Sequence, residues 1–159
     1  MAVFHLSDLS KNLPGSHVIG VAAFSHLSTD TRNLAAGDLF VALVGPNFDG
    51  HEFIAQAQNQ GACAALVSTA IDTDLPLIVV PDTRIALGQL AAIKRQSLNG
   101  QFVSVTGSSG KTTVKEMLQK VLFQAGEVEV TQGNFNNDIG VPLTLWGMRD
   151  DVDYRVLEL

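Results

Sequence analysis

One cysteine stands among the 159 residues, Cys63 in "GACAALVS", so no disulfide can close within the chain and a reducing cytoplasm is the expected compartment. As a small apolar side chain, Cys63 is expected to serve the core. Runs of Lys or Arg are missing too. With 10 Lys and Arg against 16 Asp and Glu, the formal net charge is -6, and nothing supplies the concentrated basic face that nucleic acid or an anionic membrane requires. Small molecules are the expected partners. No apolar stretch approaches the roughly 18 uninterrupted residues of a membrane span, and the opening "MAVFHLSDLSKNL" lacks a basic segment followed by an apolar run. The protein is therefore expected to stay soluble inside the cell. The four histidines, His5, His17, His26 and His51, have no metal-ligand spacing, and no histidine metal site is expected.

What is present is apolar and ordered in pattern. Hydrophobic residues make up 46% of the chain and prolines number only 5, which argues for globular structure without disordered tracts. The run "DLFVALVG" (38–45) has strand length, and "HEFIAQAQNQG" (51–61) places Phe53, Ile54 and Ala57 on one helical face before a glycine. Two further short buried strands follow, "CAALVS" (63–68) and "LPLIVV" (75–80). In "PDTRIALGQLAAIKRQ", Asp82 or Thr83 can cap a helix that carries Leu87, Leu90, Ala91 and Lys94 at helical spacing. Strands alternating with helices predict an α/β fold with a mostly parallel sheet.

The polar stretch "RQSLNGQ" (95–101) interrupts this pattern, and a domain boundary is expected there, dividing 1–98 from 99–159. The second segment opens with the strand "FVSVTG" (102–107). A helix from Lys111 to Gln124 follows, with an apolar stripe of Val114, Met117, Leu118, Val121, Leu122 and Ala125, closed by Gly126. "VEVT" (128–131) reads as a strand, "DIGVPLTLWGM" (138–148) as a helix or turn interrupted at Pro142, and "YRVLEL" (154–159) as a last strand. Trp146 and the 8 phenylalanines read as core. A parallel strand buried on both faces needs further elements to cover it, so the chain is expected to be the N-terminal piece of a longer enzyme.

Between strand and helix lies "SVTGSSGKTT" (104–113). Gly107 and Gly110 let the backbone approach an anion without a Cβ in the way, and Ser108 and Ser109 are small. Lys111 can reach β/γ phosphates, and the Thr112 hydroxyl can ligate Mg²⁺. The stretch departs from G-x-x-x-x-G-K-[ST] at its first glycine, where Val105 stands. A nucleotide phosphate is the expected ligand, against the plainer reading of a solvent-facing turn that caps a helix.

"VTGSSGKTT" resembles the T-G-x-x-G-K-[ST] loop of the Mur ligases, ATP-dependent amide-forming enzymes of cell-wall precursor synthesis. "TQGNFNNDIGVPLTL" (131–145) is similar to the family's G-N-x-N-N-x-I-G-x-P segment, and "STDTRNLAAGDLFVALVGPNFDGHEFIAQAQNQGA" (28–62) to its uridine-nucleotide-binding N-terminal domain. The resemblance covers nearly the whole chain and lies nearest to the branch that adds D-alanyl-D-alanine. It implies an N-terminal UDP-binding α/β domain over 1–98, then the first part of a P-loop parallel-sheet ATPase domain over 99–159.

The resemblance also implies roles. Gly107, Ser108, Ser109, Gly110, Lys111, Thr112 and Thr113 would bind ATP, with Lys111 steadying the transferred phosphoryl group as the catalytic residue. Thr112 and Glu158 would hold Mg²⁺, a pairing that suits an ion taking one hydroxyl and one carboxylate. Asn134, Asn137 and Asp138 would line the space toward the muramoyl-peptide. Ser28, Thr29, Asp30, Thr31 and Arg32, with the loop from Gly45 through Asn47 to His51, would form the uridine-diphosphate pocket. For Asp30 and Arg32 a surface ion pair remains the plainer reading. The substrates implied are ATP, UDP-N-acetylmuramoyl-tripeptide and D-alanyl-D-alanine, handled by a monomer, and residues 1–159 alone are expected to be inactive. Two other classes stay open: a noncatalytic UDP-sugar-binding module, and a P-loop kinase or GTPase, although the guanine-specific N-K-x-D element of a GTPase is missing.

Overall fold

The continuous apolar runs become strands buried on both faces, as a parallel sheet between covering layers requires. The structure is a computed structural model and describes residues 2–133 and 135–159. It divides into two compact units, Met1–Leu90 and Ala91–Leu159.

The first unit contains β1 (Phe4–His5), α1 (Leu6–Ser10), β2 (His17–Ile19), β3 (Ala23–Phe24), β4 (Leu27–Ser28), β5 (Leu39–Val41), β6 (Val44–Gly45), β7 (Phe48–Asp49), α2 (Ile54–Asn59), β8 (Ala64–Val67) and β9 (Leu77–Val79). Two single 3-10 turns, Thr31–Asn33 and Gly50–Phe53, join them. The helix α3 (Thr83–Ser97) runs across the division. Strands order as β2-β9-β8-β5-β4, with three parallel pairings and one antiparallel edge at β2. Phe40, Ile54, Ala57, Ala65, Leu77 and Val79 belong to the core cluster beside this sheet. Asp82 begins α3, its Oδ1 accepting the backbone N–H of Arg84 at 2.8 Å and of Ile85 at 3.0 Å.

The helix expected from His51 starts later, because Gly50–Phe53 winds as a 3-10 turn whose Asp49 side chain accepts the His51 N–H. Phe53 consequently leaves the buried face kept by Ile54 and Ala57. Cys63 is half-buried at the strand entry, its thiol donating to the Gly37 carbonyl at 3.2 Å, and burial pushes its pKa up.

The second unit adds β10 (Gln101–Val105), α4 (Lys111–Leu122), β11 (Val128–Val130), α5 (Gly140–Gly147) and β12 (Tyr154–Glu158). Its sheet is wholly parallel, in the order β10-β12-β11. Pro142 does not interrupt α5. It sits third in the helix, in the first turn, where a backbone N–H has no intrahelical partner to lose. The stripe expected on α4 is displaced as well: Leu118 and Leu122 pack on Val105, Val130 and Val156, while Val114, Met117 and Val121 stand exposed. The row turned to the sheet begins with Lys111 and Lys115, the latter 6% exposed, because at this end of the helix the inward face carries charge. Buried Arg155 fastens β12 by donating to the backbone carbonyls of Asn99, Arg149 and Val152.

Candidate functional sites

In the second unit, parallel pairing brings loop ends together. Val105, the last residue of β10, lies in register with Glu158, the last of β12, so the turn after β10 and the Glu158 carboxylate share one sheet edge. Ligands of open parallel sheets gather at such an edge, where successive strands all end. The turn itself relies on two glycines with positive φ, Gly107 at 152° and Gly110 at 75°. Gly110 is the residue before α4, and a Cβ built on it would meet nothing within 4 Å. No side chain caps α4, which leaves the amides of its first turn to an anion. Ser108 and Ser109 are exposed in the turn; Thr112 and Thr113 are exposed on the helix just after it, and Lys111 is half-buried.

Glu158 is 4% exposed, not solvated as an isolated acid in a strand would be. The Thr112 hydroxyl donates to its two carboxylate oxygens at 3.2 and 3.4 Å, the Asn136 amide donates to Oε1 at 3.3 Å, and the Lys115 ammonium lies 3.3 Å from Oε2. Burial pushes the carboxyl upward, but the hydrogen bonds from Lys115, Thr112 and Asn136 outweigh it and hold the group below the usual carboxylate range. Lys115 is fixed in turn by the Thr131 carbonyl at 3.0 Å. One hydroxyl and one carboxylate, both hard oxygen donors, meet at the mouth of a turn open to an anion, with the Asn136 amide N–H turned to the carboxylate. This set fits a magnesium ion that arrives with phosphate oxygens.

Of the residues expected toward the muramoyl-peptide, Asn137 turns inward on the chain, its Oδ1 accepting the N–H groups of Ile139 and Gly140 at the start of α5. Asp138 is exposed beside it, and Asn134 lies outside the described residues. Lys115, Thr131 and Asn136 were not singled out by sequence reasoning. Lys115 looks like an ordinary helical lysine until its row is known, whereas Asn136 lies within the quoted "NFNND" segment and had that signal.

In the first unit a cavity of about 520 Å³ is lined by Thr29, Asp30, Thr31, Arg32, Phe40 and Phe48, with Gly50, Phe53 and Gln56. Thr29, Asp30, Thr31 and Arg32 were expected by name, and Phe48 and Gly50 lie in the loop from Gly45 to His51 expected beside them. Asp30 and Arg32 form a bidentate pair, with Arg32 Nε 2.9 Å from Oδ1 and Nη2 2.6 Å from Oδ2. Hydrogen bonds from the Arg32 side chain and then its backbone N–H lower the Asp30 pKa to about 2. The surface ion pair and the cavity wall are thus one feature.

Ser28, Gly45, Asn47 and His51 do not line this cavity, though Ser28, Gly45 and His51 shape its loops. The Ser28 hydroxyl donates to the Asp30 carbonyl and accepts the Asp30 N–H, setting the turn. A Cβ on Gly45 would come within 2.6 Å of the Phe48 ring, so glycine makes room for that ring. Asn47 is exposed between β6 and β7. His51 Nε2 accepts the Ser68 N–H at 2.9 Å, which leaves Nδ1 to donate to Asp49 at 2.5 Å. Its ring ties the cavity loop to the end of β8. Phenylalanine as core is corrected here: Phe24 and Phe40 are buried, whereas Phe48 and Phe53 line the cavity and are exposed, as are Phe123 and Phe135.

A glycine turn between a parallel strand and a helix, with a hydroxyl and a carboxylate at its mouth, is the anatomy of the phosphate-loop α/β proteins. Family comparison narrows the class: the Mur ligase middle domain matches residues 105–159, and the catalytic domain of the Mur ligase family matches residues 23–95. The chain belongs to the Mur ligase family. It is 49% identical over 154 residues to the UDP-N-acetylmuramoyl-tripeptide--D-alanyl-D-alanine ligase of Escherichia coli, covering 97% of this chain and 34% of that protein. Against the Bacillus subtilis enzyme of that name it is 43% identical over 136 residues, 84% of this chain and 30% of the relative. Among solved structures, MurF from Acinetobacter baumannii aligns with a TM-score of 0.85 at 40% identity, over 97% of this chain and 34% of that one. Thermotoga maritima MurF in complex with ADP aligns at 0.76 and 36% identity, over 84% and 31%. The chain spans about a third of the length of these relatives.

Proposed function

We propose that these residues form the uridine-nucleotide pocket and the phosphate-gripping half of a cytoplasmic ligase that joins D-alanyl-D-alanine to UDP-N-acetylmuramoyl-tripeptide at the expense of ATP. The observation that carries this reading is the convergence of Thr112 and Glu158 beside the uncapped start of α4, in a chain 49% identical to a ligase of that name. ATP would phosphorylate the terminal carboxylate of the tripeptide and leave as ADP. The amine of D-alanyl-D-alanine would then attack the acyl carbon, and inorganic phosphate would depart. Phosphoryl transfer asks a protein chiefly for positioning and charge neutralisation. Here the amides of residues 110–113 would hold phosphate oxygens, and Lys111 would balance charge on the phosphoryl group in flight. Magnesium, when bound, would supply charge neutralisation between phosphates; Thr112 and Glu158 would hold it, with Asn136 steadying the carboxylate.

In the first unit, Phe48 and Phe53 would offer ring faces to the uracil base, while Thr29, Thr31 and Arg32 offer donors to the ribose and diphosphate. Arg32 would have to share its guanidinium between Asp30 and the ligand. Titration calorimetry of the full-length ligase with UDP-N-acetylmuramoyl-tripeptide and with ATP tests this directly. Binding of both is expected; uridine-nucleotide binding without ATP binding would turn the reading to a noncatalytic module.

A further inference from the structure

The row of α4 that faces the sheet places an ammonium where a leucine would bury at less cost. Lys115 has 7% of its side chain exposed and Glu158 5%, and they stand 3.3 Å apart. A buried ion pair is weak evidence for stability, since desolvation of both charges opposes their attraction. Its place matters more. The ammonium also donates to the Thr131 carbonyl at 3.0 Å, so it has a fixed backbone partner besides Glu158. Thr112 and Asn136 reach the same carboxylate, but both are neutral. The local charge at the mouth of the turn is therefore one negative matched by one positive, with Lys111 adding a further positive nearby in sequence.

Protein-only sites for hard divalent cations gather several carboxylates. Among the described residues no group of three or more His, Cys, Asp or Glu is placed to hold a metal ion. A single carboxylate already neutralised by a fixed ammonium has no net charge to offer a bare dication. A phosphate-bound dication differs, because the phosphates carry their own negative charge.

We infer that Lys115 is a positioning residue that holds and neutralises Glu158, so that the site takes up divalent metal only together with a nucleotide. This rests on the reading of Thr112 and Glu158 as the metal-holding pair. Removing the ammonium leaves Glu158 with its full charge, and Mn²⁺ alone should then bind.

Electron paramagnetic resonance of Mn²⁺ added to the full-length ligase, alone and with ADP, reads this without catalysis. The parent protein is expected to retain Mn²⁺ with ADP and much less without it. Lys115→Gln, which keeps a donor for the Thr131 carbonyl but drops the charge, should bind Mn²⁺ alone at least roughly tenfold more tightly than the parent. Lys115→Arg should behave like the parent, and Lys115→Gln combined with Glu158→Gln should lose the gained site. If Lys115→Gln is folded, takes up Mn²⁺ with ADP and gains no binding of Mn²⁺ alone, the inference is overturned while the proposed function stands. Parent protein that holds Mn²⁺ alone as tightly as with ADP overturns it with no variant needed. Failure of the parent to take up Mn²⁺ with ADP removes the nucleotide-site reading and this inference with it.

Discussion

The two units bury different kinds of residue. In the first, the strands β5, β8 and β9 are apolar and buried at every position, and the buried polar residues among those described, Ser28, Thr31, Asp38 and Thr83, include no cation. In the second, Lys94, Lys115, Arg155 and Glu158 are all at most 6% exposed. On the proposed reading, part of the difference lies in what each unit has to recognise: Lys115 and Glu158 stand at the turn before α4, whereas Lys94 pairs with Asp150 and Arg155 holds backbone carbonyls. A cavity edged by phenylalanine rings and one ion pair selects by shape, and its walls can be ordinary core. A phosphate and metal site needs charges held in fixed places, and fixing a charge means surrounding it with partners, which costs burial.

The contrast is broken most severely at the phosphate turn. Lys111→Ala in the full-length ligase is expected to reduce ATP affinity by roughly a hundredfold or more, through loss of charge-assisted contacts. UDP-N-acetylmuramoyl-tripeptide affinity should be unchanged, and calorimetry with each ligand checks both halves; undiminished ATP binding would remove the assignment.

Next in size is a packing change confined to the first unit. A Cβ on Gly50 would lie 2.7 Å from the Leu43 carbonyl oxygen and 2.8 Å from its nitrogen, both backbone atoms that cannot step aside. Gly50→Ala should therefore cost about 2–3 kcal/mol of stability. Denaturant unfolding would show it, and a loss below half that figure would mean the loop relaxes freely.

Arg32→Ala should weaken UDP-N-acetylmuramoyl-tripeptide binding about tenfold and leave ATP affinity alone. The opposite pattern would undo the division of labour between the units. The smallest effect belongs to Asp30→Asn. Because the folded pKa of Asp30 is lowered to about 2, its ion pair contributes stability above the ordinary carboxylate pKa, and the contribution fades as pH falls through about 2. The stability difference between parent and variant should be small at pH 7 and close as the medium is acidified below about pH 4. A gap that widens in acid would contradict the sign.

Much of this was legible before any coordinates. The alternation of apolar runs with amphipathic segments announced parallel strands and helices, Asp82, one of two candidate caps, announced the start of α3, and Gly107 and Gly110 announced a tight turn between β10 and α4. Other features were hidden for identifiable reasons. The α4 stripe misled because one-dimensional periodicity ranks apolar residues and cannot show that Lys111 and Lys115 lie on the inward row. Pro142 looked like a break because its position relative to the first turn of α5 was unknown. His51 read as a pocket residue, yet its partners, Asp49 and Ser68, include one 17 residues away.

By itself, then, the sequence determined the local events: which segments are strand or helix, where glycine permits a left-handed turn, and which loop can offer amides to an anion. These depend on neighbours within a few residues, and on backbone sterics that any chain obeys. Only the tertiary structure decided which side chains share a space. Parallel pairing of β10 with β12 put Glu158 within reach of Thr112, 46 residues earlier, and drew Lys115 and Asn136 around the same carboxylate. Strand order and register are set by the packing of the whole sheet, and no local pattern encodes them.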